Sequence, residues 1–215
     1  MKTDELILHL AKSAGPVTRL PAPSIRLLQW LAAAAALAAV AVFGVGARAG
    51  LGTAISQPAF AVSLAALVLA TISAAALAFV LSVPGAEGSP RRRALPIAAG
   101  LAWPAAWFVA MMRHAGATGA RPFHWACAIE IGVLGAISGW MLVGMLRRAA
   151  PLQPAWTAGI AGVAAVTIAS AATQVICPVD DPRHQLVGHV LVAAVVGFAV
   201  FMAGRRRLTS RRLAS

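Results

Sequence analysis

Charged side chains are scarce in this sequence: they make up 11% of the 215 residues, whereas hydrophobic residues make up 60% and the mean hydropathy is +0.82. A soluble protein carries about 25% charged residues, because its surface faces water. The composition therefore excludes an ordinary soluble domain and predicts an integral membrane protein.

Cysteine is nearly absent as well. The two cysteines, Cys127 and Cys177, lie far apart in the chain, and neither belongs to a CxxC motif. This spacing excludes a zinc-ribbon framework and permits at most one disulfide.

Acidic residues are also few, six against 18 Lys and Arg, which gives a net charge of +12. In a soluble protein this excess would suggest nucleic-acid binding. Here the basic residues stand between apolar runs and at the chain ends, where membrane orientation accounts for them. We therefore expect no nucleic-acid partner.

Uncharged apolar runs mark candidate transmembrane helices, since the hydrocarbon core of a bilayer needs about 20 helical residues. Six runs are present, at 27–47, 59–83, 94–112, 123–146, 155–176 and 184–204. In the third run, Pro96 and Pro104 are expected to kink the helix unless its neighbours compensate for the lost hydrogen bonds. The short loops predict one all-α membrane domain over residues 27–204, a bundle of six transmembrane helices.

Basic residues indicate how this bundle is oriented, because cytoplasmic loops of membrane proteins are rich in Lys and Arg. With a cytoplasmic N-terminus, fourteen of the 18 basic residues lie on the cytoplasmic side. The distribution predicts a multi-pass protein with both termini in the cytoplasm and a basic tail at 205–215. Cys177 would then face outward, which in a bacterium means the periplasm, an oxidising compartment.

Residues 1–26 form a cytoplasmic segment of different character. Thr3 can cap a short helix of about ten residues, which is marginally stable alone. Apolar side chains at helical spacing give this helix an apolar face, namely Leu6, Ile7 and Leu10. Three interpretations stay open: the helix lies on the membrane surface, leads loosely into the first span, or binds a protein partner through that face.

The polar stretch 174–189, QVICPVDDPRHQLVGH, interrupts the apolar chain before the sixth span. The fourth span begins on the same side of the membrane, and its first turns carry His124, Cys127 and Glu130 at i, i+3 spacing. Thiolate and imidazole together suit soft or borderline ions such as Cu(I), Zn and Cd. Besides the two cysteines, the metal-ligand candidates are His124, Glu130, Asp180, Asp181, His184 and His189.

Other readings of these residues stay open. Cys127 and Cys177 can form a disulfide if their Cα atoms approach to about 4.4–6.8 Å. They can also be small apolar residues of buried helices, with 174–189 as a polar loop. Glu130, the charged residue inside a span, indicates either an interior partner or a protonated carboxyl bonded to a neighbouring helix.

Short motifs in a fixed order characterise the whole chain: MKTDELIxxLA, then PVxRLPxP before the first span, LSVPG after the second and CPxDDP before the last. In these motifs and in its six spans the chain resembles the NrsF family of polytopic anti-sigma factors. The resemblance implies an inner-membrane protein whose N-terminal segment holds an extracytoplasmic-function sigma factor inactive until oxidant or heavy-metal stress. It also implies that two periplasmic cysteines, here Cys127 and Cys177, take part in the response.

We therefore expect a signalling protein that is not an enzyme, has no catalytic residue and requires no cofactor, with a soft or borderline metal ion as a possible signal. Two other classes are the alternatives. A membrane thiol oxidoreductase would need cysteines placed to resolve each other, and the lack of a CxxC motif argues against it. A small metal-handling protein such as an exporter would need polar residues through the thickness of the bundle. Besides Glu130, the spans contain few such residues. The sequence leaves a homo-oligomer open.

Overall fold

The computed structural model describes residues 3–13, 19–84, 90–113 and 123–210, and every regular element in these ranges is a helix. The helices are α1 (Thr3–Ser13), α2 (Pro23–Val45), α3 (Leu51–Ser56), α4 (Pro58–Leu81), α5 (Pro90–Arg113), α6 (Trp125–Arg147), α7 (Pro154–Ile176), α8 (Pro182–His184), a π-helical turn (Gln185–Leu191) and α9 (Val192–Ser210). The last three follow one another without a break. Positions 14–18 of the N-terminal segment and 211–215 of the basic tail lie outside the described residues.

Several helices begin at a proline, and this fixes their first turns. The residues are Pro23, Pro58, Pro154 and Pro182, which open α2, α4, α7 and α8. The first turn suits proline because an N–H group there has no acceptor within the helix. Gly46 follows the last residue of α2 and caps the helix. Its φ of +101° is a conformation that glycine adopts without steric cost.

Helix α5 continues through both of its internal prolines, Pro96 and Pro104. We expected kinks there unless neighbouring helices supported the chain. The helix is unbroken at both positions, and Trp103 between them packs into an apolar cluster with Leu67 of α4 and Ile131 of α6. The cluster holds this helix in place where proline removes backbone hydrogen bonds.

Five helices are long and apolar enough to cross a membrane, which is consistent with a membrane protein. They span Pro23–Val45, Pro58–Leu81, Trp125–Arg147, Pro154–Ile176 and Pro182–Thr209. Their positions correspond to five of the six predicted runs. The third run coincides with α5, whose apolar part is shorter, Ala94–Val109.

Helix α7 forms the centre of the bundle. In its most apolar window 72% of the residues are buried by the rest of the protein, against 11% for α2. Glycine permits very close contact with α9: a Cβ at Gly162 would stand 2.9 Å from the carbonyl oxygen of Gly197. Small residues at helix interfaces allow such approaches in membrane bundles. Helix α7 therefore supports the elements around it, including those that end beside it at the site described below.

The bundle has two distinct ends. At one, the start of α2 meets the ends of α4 and α6, since Arg26 bonds to Ser82 and Met145. At the other, the start of α4 meets the end of α7, since Gln174 donates to the Ser63 hydroxyl at 3.0 Å. We call these the Arg26 end and the cysteine end. Helix α4 stops at the first and α6 starts at the second, so α5 connects the two ends.

Candidate functional site

Four side chains meet in a buried cluster at the cysteine end: Cys127, Cys177, His184 and His189. Their ligand atoms all lie within 4.8 Å of one another. The His184 Nε2 atom is 3.4 Å from the Cys177 Sγ and 3.8 Å from the Cys127 Sγ. Both cysteines are free thiols, and each of the four residues is at most 5% exposed. The arrangement offers two sulfurs and two imidazoles to a common point, away from solvent.

Separate elements deliver these side chains. Cys127 stands in the first turn of α6, and Cys177 follows the last residue of α7, where it still donates its N–H to the Thr173 carbonyl at 2.7 Å. His184 ends α8 and His189 lies in the π-helical turn. The site therefore joins three membrane helices, so a ligand held here would tie them together.

The loop between α7 and α8 is short and firmly bonded. Asp181 caps α8, because its Oδ1 accepts the N–H groups of Arg183 at 2.9 Å and His184 at 3.1 Å. The Gln185 side chain donates to the Val179 carbonyl at 2.7 Å. These bonds orient the start of α8 and so place His184 beside the cysteines.

The π-helical turn brings the two histidines together. In an α-helix, residues five apart are rotated by about 140° and face different sides. A π-helix instead bonds residues five apart, which aligns them. The rings of His184 and His189 accordingly lie 5.1 Å apart between centroids, at 73°. The π-helical turn thus brings the side chains of His184 and His189 to the same side, which a regular α-helix would not do at this spacing.

Gly188 leaves room for this pair. A Cβ at this position would lie 3.1 Å from Cε1 and 3.3 Å from Nδ1 of His184, closer than most Cβ contacts in proteins. The bare backbone therefore allows the ring to rest against the helix that carries it. The sequence analysis assigned no function to Gly188. Its position between His184 and His189 is the signal that could have indicated one.

Several polar atoms of the cluster lack hydrogen bonds among the described residues. Both ring nitrogens of His189 and the Nδ1 of His184 are buried without a partner at hydrogen-bond geometry. Leaving a buried polar group unpaired costs about 1–3 kcal/mol, so a water molecule or an ion at these nitrogens would be stabilising. His184 thus directs its Nε2 atom to the two sulfurs, while both nitrogens of His189 are without such a partner.

The structure places the other candidate ligands outside this cluster. Asp180 pairs with Arg48, whose two terminal nitrogens lie 2.7 and 2.5 Å from its carboxylate oxygens. Asp181 is occupied as the cap of α8. His124 is exposed just before α6, with its ring centroid 6.0 Å from that of His184. Glu130 is half-buried beside Thr173, and one of its oxygens has no hydrogen-bond partner.

The Arg48–Asp180 pair fastens the loop of the site to the end of α2. The backbone N–H of Arg48 also donates to the Val175 carbonyl at 3.0 Å, and its guanidinium lies over the Phe60 ring at 5.3 Å. The hydrogen bond to Asp180 raises the pKa of the Arg48 guanidinium above its usual value. This arginine therefore remains charged and joins α2, α4 and α7 beside the cluster.

A second polar connection lies at the opposite end and was not anticipated from the sequence. Arg26 is 4% exposed, and its guanidinium donates to the Met145 carbonyl at 2.6 Å and the Ser82 hydroxyl at 3.3 Å. It also lies over the Phe79 ring at 4.8 Å from the centroid. No carboxylate among the described residues forms an ion pair with it. One turn further along α2, Trp30 donates to the Ser138 carbonyl at 3.0 Å.

The N-terminal helix α1 leaves its apolar side chains accessible. Leu6 is 40% exposed, and Ile7 and Leu10 are both 58% exposed. The three residues predicted to bind a partner thus have exposed side chains in this structure.

Comparison with known proteins adds one positive result. The family model named NrsF, described as "Negative regulator of sigma F", matches residues 10–209, nearly the whole chain. No curated protein and no solved structure matches.

Proposed function

The chain belongs to the NrsF family of negative regulators of sigma F, and on this premise we propose that it is a membrane anti-sigma factor whose cysteine cluster senses stress. It holds an extracytoplasmic-function sigma factor inactive through its N-terminal segment, and it releases this factor when an oxidant or a heavy metal reaches Cys127 and Cys177. The role is regulatory and not enzymatic.

The location is the bacterial inner membrane, with six spans and both termini in the cytoplasm. Helix α5, the third run of the sequence, completes the six spans, and its place between the Arg26 end and the cysteine end supports this count. The start of α2 and the end of α9 lie at the same end, since Gly204 of α9 approaches Val143 near the end of α6. Together with the excess of basic residues at the termini, this favours a cytoplasmic Arg26 end and a periplasmic cysteine end.

The sigma factor binds the apolar side chains of α1. Leu6, Ile7 and Leu10 are accessible there, and Asp4 and Glu5 precede them in the first turn. A short helix that is marginal alone becomes ordered when its apolar face fills a groove of a partner. Binding through such a helix is readily reversed, as release of a sigma factor requires.

One observation carries the sensing role: two cysteines from distant parts of the sequence meet, reduced and buried, in contact with the same histidine. Thiolates react with oxidants and also bind soft metal ions. The same pair can therefore respond to either stress.

Helix α6 provides a route from the sensor to the N-terminal segment. It carries Cys127 in its first turn, and it accepts hydrogen bonds from Trp30 and Arg26 along the rest of its length. Both donors lie in α2, which follows the N-terminal segment directly. A ligand at the cysteine end that shifts α6 would move the start of α2, where the sigma-binding segment begins.

The decisive test is co-purification from the native bacterium. A tagged full-length protein should capture one extracytoplasmic-function sigma factor from unstressed cells and lose it after cadmium or oxidant treatment. A variant lacking residues 1–13 but inserted in the membrane should capture none. Recovery of the same sigma factor by this shortened variant would refute the assigned binding surface.

A further inference from the structure

We propose that Cys127, Cys177, His184 and His189 form a closed tetrahedral site for one divalent d¹⁰ metal ion of the zinc and cadmium class. The proposal names the ligand of the sensor described above, and it deepens that function without depending on sigma-factor binding. The four ligands come from α6, the end of α7, α8 and the π-helical turn.

The distances between donor atoms match such a site. With metal–sulfur bonds of about 2.3 Å and metal–nitrogen bonds of about 2.05 Å, a tetrahedron sets sulfur and nitrogen about 3.6 Å apart. The His184 Nε2 atom lies 3.4 Å from one sulfur and 3.8 Å from the other, on either side of that value. The donor atoms of all four residues stay within 4.8 Å, so small side-chain movements close the site.

The histidines separate metal binding from disulfide formation. A disulfide between the cysteines would engage no imidazole, and it would leave the buried nitrogens of His189 unpaired. A metal ion is coordinated by one nitrogen of each ring, so both fully buried rings serve as ligands. The π-helical turn, which aligns these two rings, is a rare backbone form that occurs frequently at functional sites.

Charge selects a divalent ion. Two thiolates and two neutral imidazoles carry a charge of −2, so a divalent ion makes the site neutral, whereas Cu(I) would leave a negative charge buried. The sulfur ligands exclude magnesium and calcium, which take oxygen ligands. The two aspartates nearby are already engaged, Asp180 with Arg48 and Asp181 as the helix cap.

Binding also replaces protons. Each cysteine binds the ion as a thiolate, so the protons of both thiol groups leave to solvent or buffer as the metal–sulfur bonds form. No electron is transferred, and the step needs no oxidant.

The test is a cadmium titration of the purified, reduced full-length protein in lipid nanodiscs, followed by the thiolate-to-cadmium charge-transfer band in the ultraviolet. We expect one ion per chain, and zinc should displace it. Cys127→Ser, Cys177→Ser, His184→Ala and His189→Ala should each weaken binding by more than the ~10–100-fold that losing an outer-sphere partner costs. The matched controls His124→Ala and Glu130→Gln, at the two candidate ligands outside both the cluster and the loop, should bind cadmium as the unmodified protein does.

Cobalt binding to the unmodified protein keeps the test independent of how well the variants fold. Four-coordinate cobalt with two thiolates should give intense visible ligand-field bands and a thiolate charge-transfer band. Six-coordinate spectra, absence of stoichiometric binding, or full affinity in the two histidine variants would each overturn the site. Binding at the site without sigma-factor release in cells would instead leave the site intact and refute the sensing role.

Discussion

The guanidinium of Arg26 donates a 2.6 Å hydrogen bond to the carbonyl oxygen of Met145, which lies 119 positions later in the chain. The acceptor belongs to the last turns of α6, where helix carbonyls lack partners within the helix and carry a partial negative charge. The donor lies near the start of α2, where the N-terminal segment 1–26 leads into this helix. This bond joins the helix that carries Cys127 to the part of the chain assigned to the sigma factor.

Replacement of Arg26 by leucine should uncouple sensing from release. The change removes the bonds to Met145 and Ser82 while leaving the cysteine end untouched. Couplings between two sites amount to about 1–3 kcal/mol, so induction of a sigma-dependent reporter by cadmium should fall roughly 5–150-fold. Cadmium affinity of the purified variant should stay unchanged.

Arg206→Leu is the matched control for this change, because Arg206 is an exposed arginine at the same end of the bundle. It should induce like the unmodified protein. Normal induction in Arg26→Leu would show that the signal takes another route.

Serine at either cysteine should leave repression intact and abolish induction. Serine preserves the volume of the side chain but neither coordinates soft metals well nor forms a disulfide. Cys127→Ser, Cys177→Ser and the double variant should give the same low reporter activity under cadmium and oxidant. Equal effects of single and double variants are the non-additivity expected when two groups serve one event. Full induction of the double variant by both stresses would eliminate the cysteine sensor.

A charge on the apolar side of α1 should release the sigma factor constitutively. Leu6→Asp or Leu10→Asp would place a carboxylate in the proposed interface and cost about 1–3 kcal/mol of binding, or roughly 5–150-fold in affinity. Reporter activity should rise without stress, while immunoblots of the membrane fraction show unchanged protein. Lys12→Asp should repress normally, because at about 100° per residue position 12 is about 120° around α1 from Leu6 and about 160° from Leu10. Continued repression by a stable Leu6→Asp, Leu10→Asp double variant would contradict the assigned surface.

The sequence predicted the helices well because their cause is local. Apolar runs of sufficient length and first-turn prolines such as Pro58 and Pro154 fix helix positions to within a few residues. The short helix α3, between Gly50 and Pro58, was not predicted, because a six-residue helix leaves no periodic signal. The packing of Trp103 of α5 against α4 and α6 was not predicted either, because residues distant in the sequence form that cluster.

The candidate site was predicted only in part, for a related reason. The pattern grouped both cysteines with His184 and His189, which lie together in the structure, but it placed Asp180, Asp181, His124 and Glu130 in the same set. A sequence does not reveal that Arg48, 132 positions away, engages Asp180, or that Asp181 is used as a helix cap. The π-helical turn and the role of Gly188 are equally invisible, since the residue pattern does not show that the chain is wound as a π-helix over Gln185–Leu191.

Reporter fusions at five positions should give the locations that a six-span topology predicts. Fusions after residues 90 and 149 and at residue 215 should report cytoplasm, and those near residues 117 and 181 should report periplasm. The pair at 90 and 117 is the sharpest comparison, because it asks whether α5 crosses the membrane despite its shorter apolar stretch. The same location for both would reduce the count to five spans and put the two termini on opposite sides.

Alanine at Gly188 should weaken metal binding without removing a ligand. The new Cβ would stand 3.1 Å from Cε1 of His184, so the imidazole must move by a few tenths of an ångström away from residue 188 and leave its present position beside the two sulfurs. Metal sites are sensitive to the orientation of their ligands, and we expect cadmium affinity to fall about tenfold at an unchanged stoichiometry of one ion. The titration used for the ligand variants measures both quantities.

Gly144→Ala is the control, since a Cβ at that position of α6 has no atom within 4 Å. Both changes add one methyl group to a membrane helix, and both replace glycine with a better helix former. A general effect of helix stiffening or folding would therefore appear in both variants, whereas displacement of His184 would appear in Gly188→Ala alone. Equal cadmium affinity in the two variants would mean that the His184 ring has room to move without loss, and that Gly188 does not position this ligand.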